Sequence, residues 1–238
     1  MMGRTHALSG AVAWLGAVPF LSQERLLGDF AVTLSPAQVL AGTVVCAGAA
    51  LLPDVDHHNG RIANTMGPVS KGFCKWVGKI SGGHRQATHS ILFAVGVGLA
   101  MDLLATHFVY GWWAALFVTV GFGLRGIGLD FEKHEVWSSV ADCAVAALAV
   151  WLMRDLDMSF VGYAVTLGCL AHVAGDCLTP RGCPVFWPAK WRVDIPLVPR
   201  TDGKVERWVI APALTLGAVI LAVRSVLGDE AVRWLNSG

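Results

Sequence analysis

The chain has 238 residues, of which 55% are hydrophobic and only 15% are Asp, Glu, Lys or Arg. An average soluble domain carries about 25% charged residues, and the mean hydropathy here is +0.57. This composition excludes an ordinary cytosolic enzyme, a disordered chain and a basic nucleic-acid-binding protein. It predicts an all-α fold, a polytopic helical bundle in a membrane, formed by a single domain over residues 1–238.

A membrane-spanning helix needs about 20 mostly apolar residues. The segments that meet this requirement are, in chain order, 6–22, 35–53, 89–109, 111–129, 136–153, 159–177 and 208–227. The first of them also fits a secretory signal peptide, since it follows a basic residue, but cleavage there would remove His6. We therefore expect about seven membrane spans, joined by two long polar loops over 54–88 and 178–207.

Within the first long loop, residues 69–80 have the pattern of a short amphipathic helix. Apolar residues recur there at helical spacing, and Lys71, Lys75 and Lys79 recur every four residues. Such a helix lies in the membrane interface and attracts anionic lipids. The run 184–188 is predicted to dip into the same interface. The alternative is that both segments only pack over the end of the bundle.

The basic residues divide unequally between the two sides of the predicted bundle. With seven spans, thirteen Lys and Arg residues fall on the side of the N-terminus and four on the other. The thirteen are Arg4, Arg61, Lys71, Lys75, Lys79, Arg85, Lys133, Arg181, Lys190, Arg192, Arg200, Lys204 and Arg207, and the four include Arg233. The positive-inside rule therefore predicts that the N-terminus is cytoplasmic.

Histidines and aspartates gather at the span ends on this predicted cytoplasmic side. They are His6, Asp54, Asp56, His57, His84, His89, His172 and Asp176. Imidazole and carboxylate groups bind zinc, manganese and iron, and His172 and Asp176 share one helix face. The sequence thus predicts a divalent-metal site of one or two ions, with zinc as the first choice. The sequence does not distinguish His57 from His58 as the ligand.

Other polar residues in the apolar segments receive simpler interpretations. His107 and His134 are predicted to be structural. Asp102 and Asp142 lie inside predicted spans, and either one lines a cavity or pairs with Arg125. The six cysteines form no CxxC motif, so we predict that they are small hydrophobic residues rather than ligands.

The motifs that carry these residues also occur together in a known family. They are GRTH at 3–6, LLPDVDH at 51–57, HRQATHS at 84–90, and the block from His172 to Gly182, which continues to Trp187 and Pro188. Together they resemble the LexA-regulated, membrane-bound, metal-dependent hydrolases, the YdjM-like proteins. The resemblance implies a bacterial inner-membrane hydrolase without naming its substrate.

A more distant resemblance concerns the order of one early His, an Asp, further His residues and an HxxxD motif. This order is similar to the zinc-dependent phospholipase C and single-strand nuclease group, which implies phosphodiester chemistry. The chain departs from that group because it has no second HxxxD motif, which argues against a full three-metal site.

The predicted activity is hydrolysis by a metal-activated water at the cytoplasmic membrane surface. Asp54, Asp56 or Asp176 is predicted to act as general base. Arg85 is the first choice for holding a phosphate or another anion.

Arg4 and Arg181 are the alternatives for holding that anion, and Thr179 is predicted to form a hydrogen bond near the metal. The interfacial location favours a phospholipid or a lipid-linked phosphate, although a soluble phosphate ester also fits.

Two rival functions belong to other classes. The first is a membrane metal-ion transporter or sensor, but transport sites usually lie near the bilayer midplane rather than at helix ends. The second is a non-catalytic membrane scaffold whose histidines are structural. The sequence leaves the substrate, the number of ions and the oligomeric state open.

Overall fold

The computed structural model describes residues 1–58, 60, 62–64, 68–128 and 135–236. Arg61, Lys133 and His134 lie outside the described residues, as does the side chain of Arg233. The helices are α1 (Gly3–Leu21), α2 (Glu24–Leu27), α3 (Pro36–Ala49), α4 (Pro68–Ile80), α5 (Ile91–His107), α6 (Val109–Gly126), α7 (Glu135–Met153), α8 (Val161–Cys177) and α9 (Ala211–Asn236).

The predicted all-α helical membrane bundle is confirmed. Each of the seven predicted apolar segments coincides with one long helix: α1, α3 and α5 to α9. By length and hydropathy, 36–56 and 206–226 are each long and apolar enough to cross a membrane. The apolar helices Ile91–His107 and Val161–Cys177 are shorter. The predicted amphipathic segment 69–80 is also helical, as α4.

A predicted and an observed boundary differ near the candidate site, at the end of the second segment. Helix α3 ends at Ala49 and is followed by a 3₁₀ turn over Leu52–Asp56. Pro53 is the reason, because it has no backbone N–H to continue an α-helix. The turn separates Asp54 and Asp56, two of the predicted ligands, from the regular helix.

Helices α1, α3 and α8 pack closely because small residues line their contacts. A Cβ atom at Gly10 would lie 2.6 Å from the Cys46 carbonyl oxygen, and one at Gly168 would lie 2.4 Å from it. Such approaches are typical of helices in membranes. Trp14 is fully buried in the same core and donates from Nε1 to the Val39 carbonyl at 3.0 Å. This tight packing brings one end of each of the three helices to a common place.

The outer faces of α5 and α9 are strongly apolar. Leu99, Leu103 and Leu216 are each about 60% exposed. Apolar side chains repeated along two helices form a surface that suits lipid rather than water. The exposed apolar faces therefore agree with a bundle in a bilayer.

The two acidic residues inside the predicted spans have different surroundings. Asp142 Oδ2 lies 3.0 Å from Arg125 Nε. Asp142 therefore forms an ion pair with Arg125, which is one of the two predicted alternatives. Asp102 neither pairs with Arg125 nor lines the cavity described below. Its carboxylate lies directly against Gly162 at the start of α8, where a helix has unpaired N–H groups.

Candidate metal centre

Each predicted ligand comes from an element whose local sequence fixes its position. Asp54 lies in the 3₁₀ turn Leu52–Asp56, and His89 lies in another, Ala87–His89. Ser90 follows and caps α5, since its Oγ accepts from the Phe93 N–H at 3.2 Å. His172 and Asp176 stand one turn apart on α8. Packing of α1, α3 and α8 then brings these segments together.

Four side-chain atoms form the centre of the cluster. His89 Nε2 and His172 Nε2 are 3.2 Å apart. Asp54 Oδ1 lies 3.8 Å from His89 Nε2 and 3.7 Å from His172 Nε2. Asp176 Oδ2 lies 3.6 Å and 3.8 Å from the same two nitrogens. Tetrahedral zinc, with bonds of about 2.0–2.2 Å, keeps its ligand atoms roughly 3.3–3.6 Å apart, so these separations suit such an ion.

The surroundings of His172 fix its tautomer. His172 Nδ1 lies 2.7 Å from the carbonyl oxygen of Ala50, and the ring is fully buried. A carbonyl oxygen only accepts hydrogen bonds, so Nδ1 carries the proton and donates. In the neutral ring, Nε2 is therefore an unprotonated lone-pair donor.

The tautomer of His89 follows from the single hydrogen of the Thr88 hydroxyl. Thr88 Oγ1 lies 2.6 Å from Asp56 Oδ2, to which it donates because an ionised carboxylate only accepts. Since its one hydrogen is used in that bond, the same oxygen must accept a hydrogen bond from His89 Nδ1, which lies 3.0 Å away. Nδ1 carries the proton, and His89 Nε2 is bare in the neutral ring.

Two bare nitrogens thus face each other at 3.2 Å inside the protein. Both His89 and His172 have exposures of 0%. Lone pairs that face each other at this distance repel unless a cation lies between them. A carbonyl or hydroxyl holding the other ring nitrogen is the usual partner arrangement of metal-binding histidines. The chemistry of the donor set fits a divalent ion.

His6 joins the cluster from α1. Its Nε2 lies 3.3 Å from Asp176 Oδ1, and its ring stacks on that of His172 with centroids 3.8 Å apart. His6, Asp54 and His172 each offer one ligand atom within 4.8 Å of the others. This geometry allows two arrangements: His6 binds a second ion, or His6 holds Asp176 in position through its contact with Oδ1.

Asp56 is surrounded by donors from the 84–88 segment. Oδ1 lies 2.7 Å from His84 Nδ1, and Oδ2 accepts from Thr88 Oγ1 and from the backbone N–H of Arg85 at 3.0 Å. With Asp54, His84 and His89 it also meets the distance requirement of a metal group. Asp56 Oδ2 lies 3.5 Å from His89 Nδ1, the protonated nitrogen, and not beside the Nε2 that faces His172. The predicted ligand Asp56 is therefore better suited to orient His89.

A cavity of about 440 Å³ opens onto this cluster. Its walls include Asp54, His57, His84, Arg85 and Arg181. The His57 ring stacks on that of His84 at 4.6 Å between centroids. His57 stands outside the potential metal groups of the described residues.

The two histidines that the sequence did not distinguish lie in different places: His57 lines the cavity, and His58 faces solvent. His57 is partly buried, and burial lowers its pKa from the ordinary value, with a further contribution from nearby His84. His58 is exposed and does not belong to the cavity wall.

The three predicted anion-binding arginines occupy different positions. Arg85 Nε lies 2.8 Å from Asp176 Oδ2, and its Nη1 donates to Thr179 Oγ1 at 2.9 Å. Arg181 is exposed on the cavity wall, with no side-chain hydrogen bond or ion pair to the described residues. Arg4 is exposed outside the cavity wall. Arg181 is thus the guanidinium best placed to meet a ligand.

The sequence reasoning missed the role of Arg192. Its Nε, Nη1 and Nη2 donate to the carbonyl oxygens of Arg181, Arg85 and Gly182 at 3.0, 3.3 and 2.9 Å. The guanidinium therefore ties the 84–85 loop to the 181–182 loop. Among the many arginines of this loop, no spacing signal distinguishes it.

Glu206 was missed as well. Its side chain is fully buried, with Oε1 accepting from the Met2 N–H at 2.6 Å and Oε2 from the Asp202 N–H at 2.8 Å. It lies in a π-helical turn, Glu206–Ile210, just before α9. An acidic residue beside an apolar span was the available signal.

A comparison with protein-family models identifies the family of the chain. The model described as "YdjM inner membrane protein" matches residues 1–131 and 138–231, a range that contains every residue of the cluster. The chain belongs to the YdjM inner membrane protein family. This membership supports a location in the inner membrane, as predicted.

Two curated members of the YdjM family show the same degree of similarity. The inner membrane proteins YdjM of Escherichia coli (strain K12) and of Shigella flexneri are each 28% identical over 185 residues. The alignments cover 77% of this chain and 67% of each relative. No solved structure matches the chain.

Proposed function

We propose that this member of the YdjM family is a metal-dependent hydrolase whose His/Asp centre lies at the cytoplasmic surface of the inner membrane. It cleaves a phosphoester bond, either in a soluble phosphate ester or in a lipid-like substrate. The observation that carries the proposal is the 3.2 Å contact between the bare Nε2 atoms of His89 and His172. A metal ion between the two nitrogens would relieve their repulsion, as would a proton on one ring, and the nearby carboxylates of Asp54 and Asp176 add the further ligands that favour the metal ion.

His89 Nε2, His172 Nε2 and Asp176 would hold the main ion, since their ligand atoms lie within 4.8 Å of one another. Two neutral imidazoles and one carboxylate suit zinc first, with manganese or iron as alternatives, and three protein ligands would leave the fourth position to a water. A second ion, if bound, uses His6 together with Asp54. A divalent ion in such a site acts as a Lewis acid and lowers the pKa of its water to about 7.

The chain's own residues divide the remaining work according to their exposure. The Asp54 side chain is 28% exposed, whereas the side chains of Asp176 and Asp56 are 2% and 0% exposed. Asp54 and Asp176 both line the cavity, and Asp54, the more exposed of the two, takes up a proton as general base. Asp56, fully engaged by its neighbours, orients His89.

The anionic part of the substrate is held by guanidinium groups. Arg181 lines the cavity, and its side chain makes no hydrogen bond or ion pair with the residues that the structure describes. Arg85 adds positive charge beside Asp176, with its position fixed by Thr179. A guanidinium binds phosphate oxygens through two parallel hydrogen bonds, which is why a phosphoester is the favoured substrate.

The cytoplasmic orientation and the multi-pass topology belong to the same proposal. Their support is the excess of Lys and Arg on the side of the cluster. The hydrolase grouping and the LexA regulation implied by the motif resemblance are proposals as well.

The proposal is tested on protein purified gently in detergent, without chelators. We expect about one or two zinc equivalents in the wild type and a strong loss in His172→Ala. His107→Ala is the matched control, because His107 is exposed and distant in sequence from every ligand. Metal-free wild-type protein would contradict the metal centre.

Activity is measured separately with bis-p-nitrophenyl phosphate, p-nitrophenyl phosphate and phospholipid in mixed micelles. Hydrolysis of at least one ester should depend on the metal and disappear in His172→Ala. A zinc-loaded protein that cleaves no ester, but carries zinc into liposomes, would instead favour the transporter.

A further inference from the structure

Helix α4 presents two exposed stripes to the outside of the bundle. Phe73, Trp76 and Ile80 are 54%, 57% and 63% exposed, at a spacing that puts them on one side of the helix. Lys71, Lys75 and Lys79 form the second stripe and are exposed too. We name the outer surface formed by these six residues the basic platform.

The remaining side of α4 is fixed to the protein. Cys74 is fully buried, and Val77 packs against the small apolar cluster that contains Leu51 and Val55. The orientation of the helix is therefore set, and its exposed apolar stripe is not the result of a loosely held segment. None of the three lysines pairs with a carboxylate of the described residues, so their charge is available to an outside partner.

The inner edge of α4 also contacts both segments that carry the metal cluster. A Cβ atom at Gly78 would lie 2.6 Å from the carbonyl oxygen of Asp56, so that helix and turn are in direct contact. At the other end, Gly83 N–H donates to the Gly78 carbonyl at 2.8 Å, and Ala87 N–H donates to the Ser81 carbonyl at 3.2 Å. A displacement of α4 would shift the Asp56 turn and the loop before His89 together.

We propose that the basic platform binds the anionic phospholipid surface of the inner membrane, and that this binding holds the metal cluster in its ligating geometry. The occupant follows from two features together. Large apolar side chains beside lysines are the composition of helices that lie in a headgroup layer, and unpaired lysines are attracted to lipids of negative charge. Lipid docking stands on its own, whereas its effect on the cluster rests on the proposed metal centre.

The experiment uses the full chain reconstituted in nanodiscs. One lipid mixture is pure phosphatidylcholine, and the other contains roughly one-third phosphatidylglycerol. Hydrogen–deuterium exchange of the peptide over 70–80 reports docking, and competition with a chromophoric chelator reports the zinc dissociation constant. The test variant is the triple substitution Lys71→Gln, Lys75→Gln and Lys79→Gln.

A matched control removes the same charge from the other polar loop. It combines Lys190→Gln, Arg200→Gln and Lys204→Gln, three exposed residues whose side chains make no ion pair with the described residues. In the wild type, phosphatidylglycerol should slow exchange of α4 roughly tenfold and tighten zinc binding about tenfold, the scale of an outer-shell effect. The α4 variant should lose both responses, and the control should keep them.

The outcomes separate this inference from the proposed function. Equal exchange of α4 in the two lipid mixtures, or equal loss of the response in both variants, would overturn lipid docking even if zinc binds. Zinc affinity that does not change with lipid, while α4 becomes protected, would overturn the coupling. Lipid-dependent protection of α4 in a protein that binds no zinc would leave docking in place and remove the metal centre.

Discussion

The Nε2 atoms of His89 and His172 lie 3.2 Å apart and are both unprotonated in the neutral rings, because Thr88 and the Ala50 carbonyl accept from the two Nδ1 atoms. The two partners differ in kind, since one is a side chain and the other is backbone. Only the first is open to substitution, so Thr88 gives the most direct test of how the ring orientation contributes to metal binding.

Thr88→Val should weaken zinc binding by roughly 10–100-fold, because His89 loses the acceptor of its Nδ1 proton. Thr88→Ser keeps the hydroxyl and should retain most of the affinity. The measurement is the zinc dissociation constant of the purified protein. Thr106→Val is the matched control, since the Thr106 hydroxyl donates to carbonyls of its own helix. Equal affinities of Thr88→Val and the wild type would contradict the assigned tautomer.

Arg181→Gln should raise KM for a phosphoester by roughly tenfold and leave kcat nearly unchanged, because it removes a charge-assisted contact to the bound anion. Steady-state kinetics over a range of substrate concentrations separates the two constants. Lys190→Gln removes an exposed charge from the same loop and should change neither. A fall in kcat with constant KM would instead mean that Arg181 acts mainly in the transition state.

Arg192→Lys should loosen the cavity wall although it keeps the charge, because a lysine cannot donate to three carbonyl oxygens in the planar arrangement of a guanidinium. Hydrogen exchange should become faster in the peptides that contain Arg85 and Gly182. The corresponding substitution Arg200→Lys is the control, and it should leave exchange at both places unchanged. Exchange that stays at the wild-type rate in Arg192→Lys would show that the two loops are held by other contacts.

Glu206→Ala should destabilise the protein by roughly 2–3 kcal/mol, because two backbone N–H donors lose a buried carboxylate acceptor. Those donors belong to Met2, beside α1, and to Asp202. The measurement is denaturant unfolding in detergent micelles, with Glu24→Ala as the control at an exposed site. A stability change below about 0.5 kcal/mol, the level of surface substitutions, would contradict this role.

The sequence was sufficient for the course of the helices and for the composition of the cluster. Runs of about 20 apolar residues are long signals, and all seven corresponded to helices. The cluster was predictable because a charged or imidazole side chain at the end of an apolar span needs a partner. His6, Asp54, His89, His172 and Asp176 were all recognised in this way and lie together.

The finer division of roles depends on contacts that no periodicity encodes. Asp54 and Asp56 are equivalent in the sequence, yet one reaches the cavity and the other accepts hydrogen bonds from the 84–88 segment. Arg192 and Glu206 likewise act on backbone groups far away in the chain. Such partners are set by how loops fold over the bundle end, so that they could not be predicted from local pattern.

The hydrogen bond from His172 Nδ1 to the Ala50 carbonyl depends on the length of α3, because Ala50 directly follows the last residue of that helix. The last carbonyl oxygens of a helix have no partner within the helix, and here one of them selects the tautomer of a ligand. One residue inserted into α3 would turn its end by about 100° and advance it by about 1.5 Å, so that this oxygen would no longer meet the ring. A deletion would act in the opposite sense. The number of residues in α3, and not only the identity of the side chains, thus determines whether His172 keeps this hydrogen bond and its place in the cluster.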